Sequence, residues 1–201
     1  MKIAVNVAVE GPTDRAVAER LLAVVGTSAA RVFTVSKPEI INRLQGYNQS
    51  AQQTPWYVQV DLDDILCAPE ARSLWLPEPA KYLCLAIAVR EVEAWLLADR
   101  DRLATFLSCD RGDVPPYPDE VSDAKEAMLR AARASKKSTT RERLLPRPGA
   151  GRRVGPEYAT ELIRFATTMW RPEVARQHSP SLDRAITRLD ELVSRWQEGE
   201  R

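Results

Sequence analysis

Residues 3–14 read Ile-Ala-Val-Asn-Val-Ala-Val-Glu-Gly-Pro-Thr-Asp, and this stretch decides the architecture. Ile3, Val5, Val7 and Val9 alternate, with the small Ala4 and Ala8 between them, so the run is a strand buried on both faces. It stops at Glu10-Gly11-Pro12. Pro12 suits the first position of a helix, and Val17, Leu21, Val24 and Val25 then recur at helical spacing. Downstream the alternation repeats. Strands are expected at 31–35, 56–60 and 81–89, and helices from Lys37-Pro38 to Leu44 and over 90–97. The polar, turn-rich residues 46–55 separate the second helix from the third strand. Strands divided by helices require crossovers, which predicts an α/β fold with a mainly parallel, Rossmann-like sheet flanked by helices.

After Phe106 the pattern changes. Residues 113–118, Asp-Val-Pro-Pro-Tyr-Pro, form a stiff linker, and no strand is expected beyond it. Helices are expected over 120–134, from Gly155-Pro156-Glu157 to about Trp170, and from Ser179-Pro180 onward. In the last one Leu182, Ile186, Leu189, Leu192, Val193 and Trp196 share a face. The organisation expected is an α/β core over 1–106 and a helical extension over 107–201 that carries a basic loop.

The 201 residues carry 29 Lys and Arg against 28 Asp and Glu, a formal charge of +1, with 44% hydrophobic and 28% charged residues. That composition excludes a chain coated with basic charge and a disordered acidic one. The neutral total conceals an asymmetry. Residues 130–153 hold nine Lys and Arg against Glu142 alone, a charge of +8, so the remainder sums to −7. The longest apolar run, 82–89, is far short of the ~20 residues of a membrane span. The N-terminus reads as a first strand, not a signal peptide, and no membrane partner is expected. Cys67, Cys84 and Cys109 are odd in number and lack C-x-x-C spacing, which argues against disulfides and a cysteine zinc site and fits a reducing cytoplasm.

Acidic residues follow three of the expected strands: Glu10 the first, Asp61 and Asp63 the third, Glu91 and Glu93 the fourth. In open parallel sheets ligands bind beyond the carboxyl ends of the strands, so these carboxylates are expected to converge. Asp61 and Asp63 are two apart, and in extended chain they would face the same way and share one hard cation. Oxygen-only ligation favours Mg²⁺ or Mn²⁺ over zinc. Each residue also has a plainer explanation. A lone Asp at a strand end is a turn former, Asp14 in a first helical turn suits the helix dipole, and Glu91 and Glu93 alone would be a solvated face. Their co-occurrence favours a site.

The stretches Val9-Glu10-Gly11-Pro12-Thr13-Asp14 and Val60-Asp61-Leu62-Asp63-Asp64 resemble the two signature motifs of Toprim domains, found in topoisomerases, bacterial-type primases and OLD-family nucleases. Arg90-Glu91-Val92-Glu93-Ala94-Trp95-Leu96-Leu97 is similar to the glutamate-bearing helix of OLD-type nucleases. The order of elements, with Gly155-Pro156-Glu157-Tyr158 and Ser179-Pro180-Ser181-Leu182, resembles a small Toprim-like family encoded beside AAA or ABC-type ATPases. The resemblance implies Glu10, Asp61 and Asp63 as catalytic metal-site residues, with Glu93 a further ligand and Glu91 its rival. Asp14 and Asp64 are secondary. It implies Mg²⁺- or Mn²⁺-dependent phosphoryl transfer on nucleic acid, DNA in the first instance, with an ATPase partner, in phage defence or DNA repair. There is no room for a topoisomerase's tyrosine domain, and no cysteine set for a primase's zinc module, which leaves hydrolysis. The alternative is a non-catalytic Toprim-like subunit that binds nucleic acid or the ATPase. Lys125 is a candidate for the scissile phosphate. Arg141, Arg143, Arg152 and Arg153 are candidates for the nucleic-acid backbone, against the plainer reading of a solvated loop. A P-loop or dinucleotide site is disfavoured, since the first strand-to-helix turn holds one glycine.

Overall fold

The computed structural model describes residues 3–63, 67–149 and 151–199. Four strands, β1 (Ala4–Val9), β2 (Ser28–Thr34), β3 (Trp56–Asp61) and β4 (Leu83–Ala88), form one parallel sheet in the order β2-β1-β3-β4. The α/β fold read from the sequence is the fold of the chain. Each strand returns through helices, because parallel neighbours need a crossover. Helices α1 (Pro12–Val24), α2 (Lys37–Ser50) and α3 (Ala68–Trp75) follow the first three strands, and α4 (Val92–Leu97) and α5 (Arg100–Leu107) follow β4.

Two buried clusters cover the two faces of the sheet. One holds Ile40 and Leu44 of α2 and Ala71 of α3 against Val58, Val60, Leu83, Leu85 and Ile87. The other gathers Val5, Val7 and Val9 of β1 with Leu21 and Leu22 of α1 and all of α4 except Glu93. On that second face β4 presents Cys84, Ala86 and Ala88, and their small size lets a long helix lie close against the strand.

That helix is α10 (Pro180–Gly199), the last of five that complete the chain after α5: α6 (Ala124–Arg133), α7 (Ser138–Leu144), α8 (Tyr158–Thr168) and α9 (Pro172–Ala175) precede it. Leu162 and Phe165 of α8 and Leu182, Ile186 and Leu189 of α10 belong to the same cluster as β1 and α1. Polar contacts fix the arrangement. Trp95 Nε1 donates to Ser181 Oγ at 2.7 Å, and Trp170 Nε1 donates to the Trp95 carbonyl at 3.1 Å. Asp99, 1% exposed, accepts from the Arg171 backbone N–H and guanidinium. Asp119 takes Ser179 Oγ and the Ser181 N–H, tying the start of α10 to a 3-10 turn at Pro118–Glu120.

Several boundaries differ from the sequence expectation. The polar 46–50 segment belongs to α2, because Tyr47 is buried on the α2 face and stacks on Trp56 at 4.7 Å. Helix α3 has no strong periodic signal and was not expected. The basic stretch is not all loop: residues 138–144 form α7, anchored by buried Leu144. Gly155 is required where α7 turns towards α8, since a Cβ there would collide with the Arg143 carbonyl. No helix among the described residues is long and apolar enough to cross a membrane.

Asp99 is a buried charge with one cationic partner, so Asp99→Ala should destabilise the fold by roughly 2–3 kcal/mol, a value reduced for the partial exposure of Arg171. The check is the urea midpoint at unchanged m-value.

Candidate functional site

The connection from β2 to β3 carries the chain across β1, so the order of the sheet reverses between β1 and β3. This is the switch point at which parallel sheets open a crevice beyond their carboxyl ends. Glu10 leaves β1 on one side of it, and Asp61 ends β3 on the other. They meet: the Asp61 backbone N–H donates to Glu10 Oε1 at 2.9 Å.

Along β3, Tyr57, Gln59 and Asp61 share a face by the two-residue period of a strand. Tyr57 donates through its hydroxyl to Gln59 Oε1 at 3.0 Å, and Gln59 Nε2 donates to Asp14 Oδ1 at 3.1 Å. Asp14, on the first turn of α1, is therefore turned inward and is 7% exposed. The turn residue Gly11 lies so close that a Cβ there would come within 3.2 Å of Asp14 Oδ2. Asp61 Oδ1 is buried and has no hydrogen-bond partner.

The third side of the crevice comes from α4 and the helices packed on it. Glu93 is 5% exposed and accepts from the Tyr158 hydroxyl of α8 at 3.3 Å. Glu91 precedes α4 and is clamped by Lys125 of α6, whose backbone N–H donates at 3.0 Å and Nζ at 2.6 Å. Lys125 Nζ also stands 3.6 Å from Glu93. Lys125 thus sets one positive charge against both glutamates.

The sequence expectation for Asp63 needs correction. Strand β3 ends at Asp61, and Asp63 adopts a left-handed φ of 55°. Two-residue alternation therefore does not extend to it. Its carboxylate pairs with Lys37 Nζ at 2.7 Å, and the same ammonium donates to the Leu62 carbonyl at 3.1 Å. Asp64 lies outside the described residues. Among the described residues, no three His, Cys, Asp or Glu side chains are placed so as to hold one metal ion.

The basic stretch is also changed by folding. Arg143 pairs with Glu161 at 3.0 Å and Glu157 at 3.5 Å, Arg153 with Asp123, and Arg141 donates to the Ser135 carbonyl. Arg133 pairs with Glu126, and Lys136 with Asp110. Arg152 is exposed. Three of the four arginines expected to meet nucleic acid are thus engaged within the chain.

Crowded, half-dry carboxylates resist ionisation. Burial, then the Glu10 and Glu93 charges, push Asp14 up to about 6. Asp61 is raised well above the usual carboxylate range by burial, then by Asp14, Glu93 and Glu10. Burial likewise raises Glu10 and Glu93. Lys125 is raised despite its burial, because Glu93 and Glu91 face it. Desolvation leads for each acid, and like charge adds to it: Glu10 and Glu93 act on Asp14, and Asp14, Glu93 and Glu10 act on Asp61.

Sequence reasoning did not single out Lys37, Gln59 or Tyr158. Gln59 had a signal, as the one uncharged polar residue in the strand Trp-Tyr-Val-Gln-Val-Asp. Tyr158 stood within a motif to which no role was given. Nothing marked Lys37. Comparison with protein-family models, curated proteins and solved structures gives no match.

A raised acid binds its proton more tightly in the folded state than in the unfolded one. Stability should therefore fall as pH rises, for Asp14 between about 4 and about 6. In metal-free buffer, Asp14→Asn should flatten that decline and stabilise the fold at pH 7, seen as a higher Tm, by a free energy on the order of 3 kcal/mol shared across the coupled acids. Melting followed from pH 4 to 8 reads both effects. A wild-type profile that rises over this range would refute the coupling.

Proposed function

We propose that the chain is a metal-dependent phosphodiesterase of the Toprim type that acts on nucleic acid, DNA in the first instance. The observation that carries this reading is the gathering of Glu10, Asp14, Asp61 and Glu93 at the switch point, with the Asp61 oxygen buried and unpartnered. An orphaned carboxyl oxygen among other acids is a poor arrangement for stability alone and a good one for receiving a cation. The donors are all oxygen, which suits Mg²⁺ or Mn²⁺. The donor chemistry fits such an ion, although the resting side chains do not themselves close a three-ligand set.

In this reading Glu10 and Asp61 are the principal holders of the ion, and Glu93 is the further one, ahead of Glu91. Glu93 is the more buried and is oriented by Tyr158, whereas Glu91 is held at both oxygens by Lys125. Asp63 is moved to a supporting role, through its pair with Lys37. When bound, Mg²⁺ or Mn²⁺ would polarise the phosphodiester and lower the pKa of an attacking water. Lys125, at the mouth beside Glu91, would place a positive charge against the phosphate where negative charge builds. No side chain here is set as a covalent nucleophile, which favours attack by water. An AAA or ABC-type ATPase partner rests on the family resemblance, and it would supply the positioning of substrate that a small chain lacks.

One observation favours a second reading. Lys125 and Lys37 already offset two of the three charges on Glu91, Glu93 and Asp63, which lowers the crevice's need for a bound cation. A non-catalytic subunit that binds nucleic acid or the ATPase would need no more.

Two measurements separate these. Mg²⁺ or Mn²⁺ at a hundredfold excess over its Kd should raise the Tm by roughly 5 °C, and Asp61→Asn should abolish the rise. Cleavage of supercoiled plasmid and of RNA should be metal-dependent and should fall at least about 100-fold in Glu10→Gln. A rise in Tm without cleavage, even beside the ATPase, would assign the chain to the binding reading. No rise at all would remove the metal site.

A further inference from the structure

Away from the carboxylates, a second group of cations lines β4. This strand is an edge of the sheet, flanked by α3 on one face and α10 on the other. Two cavities of about 230 Å³ each open there and share Arg72 and Arg188. Together they form one groove along the strand, from Leu83 and Cys84 to Ala86 and Ile87.

Its lining is basic. Arg184, Arg188 and Arg195 lie four and seven residues apart on α10, along one stripe that spans about 16 Å. Arg72 enters from α3 and donates to the Leu85 carbonyl at 3.1 Å. Lys81 closes the far end. The only acid lining either cavity is Glu191, 4.0 Å from Arg195. Among the described residues, Arg184 and Arg188 form no ion pair. Burial and the neighbouring Arg188 push Arg72 down, the behaviour of a cation facing another cation without an anion between them. Beside Lys81, Tyr82 and Trp196 meet edge to face at 4.6 Å, both partly exposed, with Lys81 Nζ 4.8 Å from the Tyr82 ring centre.

We propose that this groove binds the sugar–phosphate backbone of a single nucleic-acid strand, with the arginines on successive phosphates and the Tyr82–Trp196 pair as a platform for a base. Planar guanidinium forks match phosphate oxygens in pairs. Cavities of this size seat one backbone and not a duplex. A basic groove ending in aromatic rings is the arrangement that holds single strands, whereas an acidic peptide would have no use for the rings. The assignment moves the nucleic-acid contact from the 130–153 stretch, where Arg143 and Arg153 are ion-paired within the chain and Arg141 is bonded to a carbonyl, to α3 and α10. It does not depend on the carboxylate crevice being catalytic.

The test is fluorescence anisotropy of a labelled oligothymidylate in EDTA, which separates binding from any cleavage. Arg184→Ala with Arg188→Ala should weaken binding about tenfold or more and lower the slope of log affinity against log salt by about 1.4, for two phosphates released. Arg188→Lys should keep the salt slope, since the charge stays, and lose part of the affinity with the fork, and Trp196→Ala should lose about fivefold or more. Circular dichroism and melting confirm that each variant is folded. The proposal is overturned if wild type does not bind the strand, or if the double variant binds it as wild type does. It is also overturned if Arg141→Ala with Arg152→Ala abolishes binding while the groove variant does not. Displacement of the strand by a glutamate-rich peptide of equal charge would assign the groove to a protein partner instead.

Discussion

Like charge forced into a half-dry crevice is the constraint on which the rest of this structure depends. The parallel sheet aims β1 and β3 at one point, and each strand ends in an acid. The fold could relieve the repulsion by turning the side chains outward. It does so for Asp63, through a left-handed turn and a lysine. Glu10, Asp14, Asp61 and Glu93 stay inside and share the strain as raised proton affinities. Local hydrogen bonds from Gln59, Tyr158 and the Asp61 amide hold them there. A chain selected for stability alone has little reason to keep such a set.

The helical extension is what completes the crevice. Lys125 and Tyr158 come from α6 and α8, and both reach α4 because those helices share one buried cluster with β1 and α1. The linkage of Trp170 to Trp95 and of Trp95 to Ser181 ties α4 to the C-terminal helices at the turn that carries Glu93. Packing energy in the extension thus fixes the position of charges at the sheet edge. The site would be open on one side if the first 106 residues stood alone.

Charge by composition and charge by surface diverge in this protein. The stretch from 130 to 153 carries the greatest density of Lys and Arg in the sequence, and folding pairs four of its nine cations with Glu126, Asp110, Glu157, Glu161 and Asp123. The arginines of α10 are diluted among acids along the chain, yet 3.6-residue periodicity lines up Arg184, Arg188 and Arg195 on one side. Ion pairing with distant acids cannot be read from a window of sequence.

The sequence by itself determined the α/β class, the four strands, and the acids at the strand ends, because apolar periodicity and chain breakers are local signals. The Gly11-Pro12 and Ser179-Pro180 helix starts were likewise legible. Residues 46–50 misled, since a polar run looks like a turn until Tyr47 finds Trp56. Helix α7 was hidden by the charges and prolines around it, and its anchor Leu144 acts through tertiary burial. What only the tertiary structure decided is partnership. Lys125 on Glu91, Lys37 on Asp63 and Tyr158 on Glu93 join residues 26 to 65 positions apart. The physical reason is that electrostatic and hydrogen-bond energies depend on distance in space and on exclusion of water, and neither is defined until the helices have packed.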